Sequence, residues 1–179
     1  MMQAHIFAEG SNTTADDRTK PAKEYFQGLF GMVAGLTDEL SESAETSLHV
    51  LSEEFGVLNG NQSIANATKA DQETSANLWE SAQEELLTAA GEADVMVILL
   101  STDAFEKTAG DIWPELVKEA KPDSIWCIGA AQSTLESVDP EKLEDKGCQV
   151  ISYQRVGVAR IGTETREELL QAVDRKAAE

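Results

Sequence analysis

The residues best placed to do chemistry in this chain are the hydroxyls and small residues that trail its β-rich runs. Glu9-Gly10-Ser11 follows Ala4–Ala8, and Ser52-Glu53-Glu54 closes Ser47–Ser52. Ser101-Thr102-Asp103 follows Val95–Leu100, and Gly129-Ala130-Ala131-Gln132-Ser133 ends the run from Ser124. Short side chains of this kind let a sugar or a base approach the backbone closely. In open α/β sheets, ligands sit beyond the carboxyl ends of the strands, where the strand order reverses. Helix capping is the competing role of such hydroxyls. Ser101 and Ser133 precede helical segments and suit it, whereas the loop after Ser52 does not read as a helix start. Glu9 and Glu53 are the general-base candidates at this rim, since a carboxylate there can take a proton from a bound group.

Other chemistries lack their residues. The chain has no Gly-x-Gly-x-x-Gly, no Gly-Lys-Ser and no Gly-x-Ser-x-Gly, which argues against a dinucleotide cradle, a triphosphate loop or a hydrolase elbow. His5 and His49 each fall in the middle of a strand-like run, and no further ligand stands near them in sequence, so they read as packed or edge histidines and no metal site is expected. Cys127 and Cys148 sit in or beside strands and read as inert thiols, not as nucleophiles. Arg155 and Arg160 could clamp an anion, but so acidic a chain offers them surface carboxylates first. No cofactor is implied.

The elements that must position the rim alternate between strand and helix. Helical spacing of Tyr25, Leu29, Met32, Leu36 and Leu40 predicts a helix over 22–40, and Gly28, Gly31 and Gly35 within it suggest close packing on a neighbour. A second helix is expected over 70–90, stopped by Gly91, and between Ser52 and that helix the segment with Gly56 and Asn59-Gly60 reads as a turn-rich loop. Val95-Met96-Val97-Ile98-Leu99-Leu100 is continuously apolar, as a strand covered on both faces should be. Asp103 with Glu106 looks like a capping pair, and Pro114 restarts the helical segment that follows. Ser124–Gly129 and Cys148–Tyr153 are further strands, with Val156–Ile161 a candidate sixth. Pro140–Lys146 is a short helix ended by Gly147, and Thr163–Ala178 is a helix. This alternation predicts one α/β domain over 1–179. It has three layers and is Rossmann-like, with a mostly parallel sheet of about five or six strands and helices on both faces.

With 33 acidic against 14 basic residues, the net charge is −19. The carboxylates are spread along the chain, so this is a surface property and not an acidic tail. Such a surface no longer repels itself at molar ionic strength, where the screening length falls to about 3 Å. The low lysine count and the abundance of Ala, Thr, Glu and Asp resemble cytosolic proteins of halophilic archaea. Clustered Lys and Arg for phosphate contacts are missing, which disfavours nucleic-acid binding. No apolar run reaches a membrane span, and no secretion signal is seen, so a cytoplasmic protein is expected.

Two segments resemble a known family. Pro21-Ala22-Lys23-Glu24-Tyr25-Phe26-Gln27-Gly28-Leu29-Phe30 is similar to the P-A-x-x-L-Y-x-S-x-x-F stretch near the start of YaaA-like domains. Leu48-His49-Val50-Leu51-Ser52-Glu53-Glu54-Phe55-Gly56-Val57-Leu58 is similar to their W-x-I-L-S-A-K-Y-G-L-L stretch. The strand Val95–Leu100 and Phe105 also fall where that family has a D-x-V-x-x-L strand and an aromatic residue. Domains of this kind are associated with oxidative-stress protection, DNA integrity and base-exchange enzymes, so the resemblance implies a pocket for a nucleobase, nucleoside or nucleic-acid end. It carries over to Lys23, Tyr25, Ser52, Phe55 and Gly56, with Gly56 allowing a tight turn and Phe55 a stacking face. The family's Cys and Lys residues after the first strand are absent here, and Glu54 replaces the Lys of its second motif. The expected pocket is therefore Ser11, Tyr25, Ser52, Gly56 and Ser101, with Lys23 or Arg18 as its nearby cations. A non-catalytic interaction or assembly module is the alternative, marked by an apolar patch around Trp79 or Trp113.

Overall fold

The computed structural model describes residues 2–9, 31–52, 56–59, 78–130, 141–154 and 163–178. Its strands are β1 (Met2–Glu9), β2 (Ala44–Ser52), β3 (Gly56–Asn59), β4 (Val95–Leu99), β5 (Ile125–Ala130) and β6 (Gln149–Gln154). The helices are α1 (Gly31–Leu40), α2 (Leu78–Glu92), α3 (Thr102–Phe105), α4 (Trp113–Glu119), α5 (Glu141–Asp145) and α6 (Thr163–Ala177). The strands form one sheet in the order β3-β2-β1-β4-β5-β6, parallel throughout except that β3 runs antiparallel to β2.

Strand alternation divides the apolar residues between two cores. Ala4, Ile6 and Ala8 of β1, with Val95, Val97 and Leu99 of β4, face α1 and α6 and meet Val33, Leu36, Leu40, Leu169 and Val173. Phe7, Met96, Ile98 and Trp126 face the other way, onto Ala82 and Leu86 of α2 and Trp113 and Leu116 of α4. Every residue of β4 is buried, as its unbroken apolar sequence predicts for a strand with helices on both sides. The architecture is thus the expected three-layer, Rossmann-like α/β fold.

Several local readings need correction. The turn-rich loop after Ser52 contains β3, whose Gly56–Asn59 pairs with His49–Ser52. Gly and Asn at the ends of so short a segment mask its strand character. Gly91 does not stop α2, which continues to Glu92. The helix after β4 begins at Thr102, two residues earlier than a cap at Asp103 requires. The Ala104 N–H meets Ser101 Oγ at 3.4 Å, and Asp103 instead pairs with Lys107 at 3.1 Å. A single π-helical turn, Glu106–Gly110, then separates α3 from α4, and Pro114 lies in the first turn of α4 as expected. The candidate strand Val156–Ile161, and the parts of the expected helices at 22–30 and 70–77, lie outside the described residues.

Gly35 of α1 gives the close packing anticipated for it: a Cβ there would lie 3.2 Å from Arg166 Nη2 of α6. Gly147 ends α5 with φ +87°, and a Cβ at that position would lie 2.6 Å from Asp123 Oδ1. Beside it, the Lys146 ammonium donates to Val117 O at 2.9 Å, Lys118 O at 3.1 Å and Ala120 O. These carbonyls belong to the end of α4, where backbone acceptors lack helical partners.

Candidate functional site

The chain leaves β1 for β2 on one side and later enters β4 on the other, so the strand order reverses between β1 and β4. Their carboxyl ends define the crevice where a doubly wound sheet takes its ligand. The register brings the rim together from three strands. Ala8 is level with Leu99, and Glu9 with Leu51, so Ser52 and Ser101 both fall one or two residues beyond the same edge. Ser52 pairs through its backbone with Gly56, which opens β3 as a strand residue.

One polar contact spans the crevice. The Glu9 carboxylate, at the end of β1, accepts the Ser101 N–H beyond the end of β4. Ser101 is half-buried. Its carbonyl accepts the Phe105 N–H at 2.8 Å while its hydroxyl faces the Ala104 N–H. Ser101 therefore both caps α3 and borders the rim. Sequence reasoning placed Glu9 here but missed its grip on Ser101, because that contact depends on β4 lying beside β1. Of the other expected site residues, Ser11, Lys23, Tyr25 and Phe55 lie outside the described residues, as do Arg18, Glu53 and Ser133.

A second polar group occupies the α2 face of the sheet, at the middle of β1 and β2. His5 Nδ1 and His49 Nε2 lie 3.0 Å apart, and His49 Nδ1 meets Glu85 Oε2 at 3.0 Å. His5 Nε2 stands 3.8 Å from Glu92 Oε2. His49 also stacks on Phe7, with centroids 4.4 Å apart and planes 9° from parallel. The pair borders a cavity of about 360 Å³ whose polar lining is His5, His49, Glu84, Glu85, Thr88 and Glu92. Burial, reinforced by the neighbouring His49 and opposed by Glu92 and Glu85, holds the His5 pKa below its ordinary 6.5. Among the described residues no three His, Cys, Asp or Glu side chains gather as a metal site.

Two further groups frame the sheet. Burial raises the Asp94 carboxyl, but the Lys121 ammonium at 2.8 Å and the Gln3 N–H at 2.9 Å outweigh it and hold its pKa below the ordinary value. Burial pushes the Cys127 thiol up to about 12, which leaves it without nucleophilic character. Trp113, one of the two residues marking an interaction patch, is 6% exposed and packs edge-on against Trp126. Trp79 is half-buried beneath the Lys107 ammonium, 5.1 Å from its ring centroid.

No family model matches the chain, and no curated protein does. It is similar to solved structures. A flavodoxin from Streptococcus pneumonia TIGR4 is 12% identical, with 98% of each chain covered and a TM-score of 0.44. A diflavin flavoprotein A3 from Nostoc sp. is 10% identical, covering 99% of this chain and 94% of that one, with a TM-score of 0.44. An NAD(P)H:quinone oxidoreductase from Methanothermobacter marburgensis is 11% identical, covering 98% and 95%, with a TM-score of 0.35. At such identities the likeness concerns fold alone.

Proposed function

We propose that the chain is a cytoplasmic, salt-adapted binding domain whose ligand, a nucleobase or nucleoside, seats beyond the carboxyl ends of β1, β2 and β4. The observation that carries this reading is the Glu9 carboxylate at the switch point. One of its oxygens holds the Ser101 N–H. A carboxylate has further acceptor capacity, which suits the N–H edge of a base or the hydroxyls of a sugar. The same negative charge, at contact distance, repels a phosphate. A nucleoside therefore fits the crevice better than a nucleotide does. If the ligand is turned over, Glu9 is the described side chain placed to act as general base. The assembly-module alternative loses support, because Trp113 is core and Trp79 is covered by Lys107.

Thermal-shift measurements in molar KCl test the reading, using free bases, nucleosides and their 5′-monophosphates. Nucleosides or bases should stabilise the protein, and the monophosphates should do so less. A hydrogen bond to a charged acceptor is stronger than its neutral counterpart by about 1.4 kcal/mol, so Glu9→Gln should weaken the nucleoside about tenfold. Preference for the monophosphates, or stabilisation by no member of the series, would refute it.

A further inference from the structure

The His5–His49 pair lies away from the switch-point rim, and its surroundings restrict how many protons it can hold. Glu85 only accepts, so the His49 nitrogen facing it carries a proton. Glu92 favours a proton on His5 Nε2 in the same way. The remaining nitrogens, His5 Nδ1 and His49 Nε2, face each other at 3.0 Å, and one hydrogen bond between them holds a single proton. Three protons on the pair therefore satisfy every contact, and that state carries one positive charge between two carboxylates. One further proton sets N–H against N–H and charge against charge, around side chains only 12% and 16% exposed.

We propose that His5 and His49 form a one-proton site that latches α2 onto β1 and β2, and that doubly charging the pair releases the latch. The latch is made between elements: His5 comes from β1, His49 from β2, and the charged groups facing them from α2 are Glu84, Glu85 and Glu92. Among the described residues β1 and β2 bring no other charged side chain to this cavity, and Thr88 and Ala89 complete its wall. Beyond Glu92, the neighbouring groove carries the Asp94–Lys121 ion pair, already neutralised within itself. Phe7, stacked on His49, stops that ring from turning aside while the chain of bonds is intact. Singly charged, the pair ties Glu85 and Glu92 of α2 to the sheet. Doubly charged, its rings must part, and the shared cavity wall opens with them.

The test is a ¹H–¹⁵N titration of the histidine rings of the full chain in molar KCl, read alongside hydrogen-exchange protection factors. The His5 ring should take up its proton below pH 6.5. Through that uptake, protection of the α2 amides should fall at least about tenfold more than that of α6, on the opposite face. In His5→Gln and in His49→Gln the pair cannot be doubly charged, so either variant should lose the pH dependence of α2 exchange. The wild-type profile decides on its own if both variants misfold. Protection of α2 that follows that of α6 across the His5 titration, or an α2-specific loss that survives in a single-histidine variant, overturns the proposal.

Discussion

Ser124→Ala should unfold the protein more readily by about 2 kcal/mol, because it strands a buried indole donor. Ser124 is 1% exposed, and its hydroxyl donates to Lys121 O at 2.7 Å while accepting the Trp126 Nε1–H at 3.0 Å. The Lys121 carbonyl survives the substitution with partners to spare, since the Ser124 N–H and the Cys148 thiol both lie 3.3 Å from it. The indole does not: Trp126 is 1% exposed and loses its acceptor. A buried donor left without a partner costs about 1–3 kcal/mol, and removing one hydroxyl adds little cavity. At this chain length each kcal/mol lowers Tm by about 2–4 °C, so a fall of about 4–8 °C is expected. Calorimetry in molar KCl and guanidinium unfolding both read it. The mechanism has a sharper signature in a double-mutant cycle. Trp126→Phe removes the donor itself, so combining it with Ser124→Ala should cost less than the two separate losses by about 1 kcal/mol. A Ser124→Ala change of less than about 0.5 kcal/mol, or a strictly additive cycle, would refute the argument.

Two other outcomes follow from the ionisable groups. With its pKa pushed up to about 12 and no exposed surface, Cys127 should resist iodoacetamide at pH 8 in the folded protein and react only once denatured, as read by peptide mass spectrometry. Acid unfolding should proceed in two stages. His5 binds its proton more weakly in the folded than in the unfolded chain, so stability falls as pH drops below 6.5, and His5→Gln should flatten that limb. Asp94 is held below its ordinary 3.8, so its contribution is complete above that value and disappears as pH falls further. With Lys121 41% exposed and salt screening the pair, Asp94→Asn should cost no more than about 1 kcal/mol at neutral pH and nothing in strong acid. Urea titrations at stepped pH check both limbs.

The layer architecture was readable because β4 and β5 are runs whose residues have no polar face to turn outward, while α1, α2 and α6 repeat at helical spacing. What stayed hidden depends on pairing between distant segments. Gly56–Asn59 is a strand only because β2 lies alongside it; in isolation its Gly and Asn spell a turn. The π-helical turn at Glu106–Gly110 leaves Thr108 and Ala109 buried much as an α-helix would, so the sequence pattern carries no trace of it. At the rim, Ser101 was legible both as a cap and as a border residue, and the structure gives it both roles. Its tie to Glu9 needed the choice of β4, not another strand, as the second neighbour of β1. The histidine pair shows the same limit. Parallel register sets Phe7, not His5, level with His49, and only a diagonal reach across two strands joins the imidazoles.

Lys146 gathers three main-chain oxygens from the end of α4 while standing in the turn that closes α5. The connection from β4 to β5 and the one from β5 to β6 are thereby riveted by a single cation. A chain whose two cysteines are both buried and free has made here, without any oxidant, the kind of cross-tie that secreted proteins build from sulfur. The rivet works equally well in a reducing compartment, and its grip on neutral carbonyls needs no acidic partner that salt could screen away.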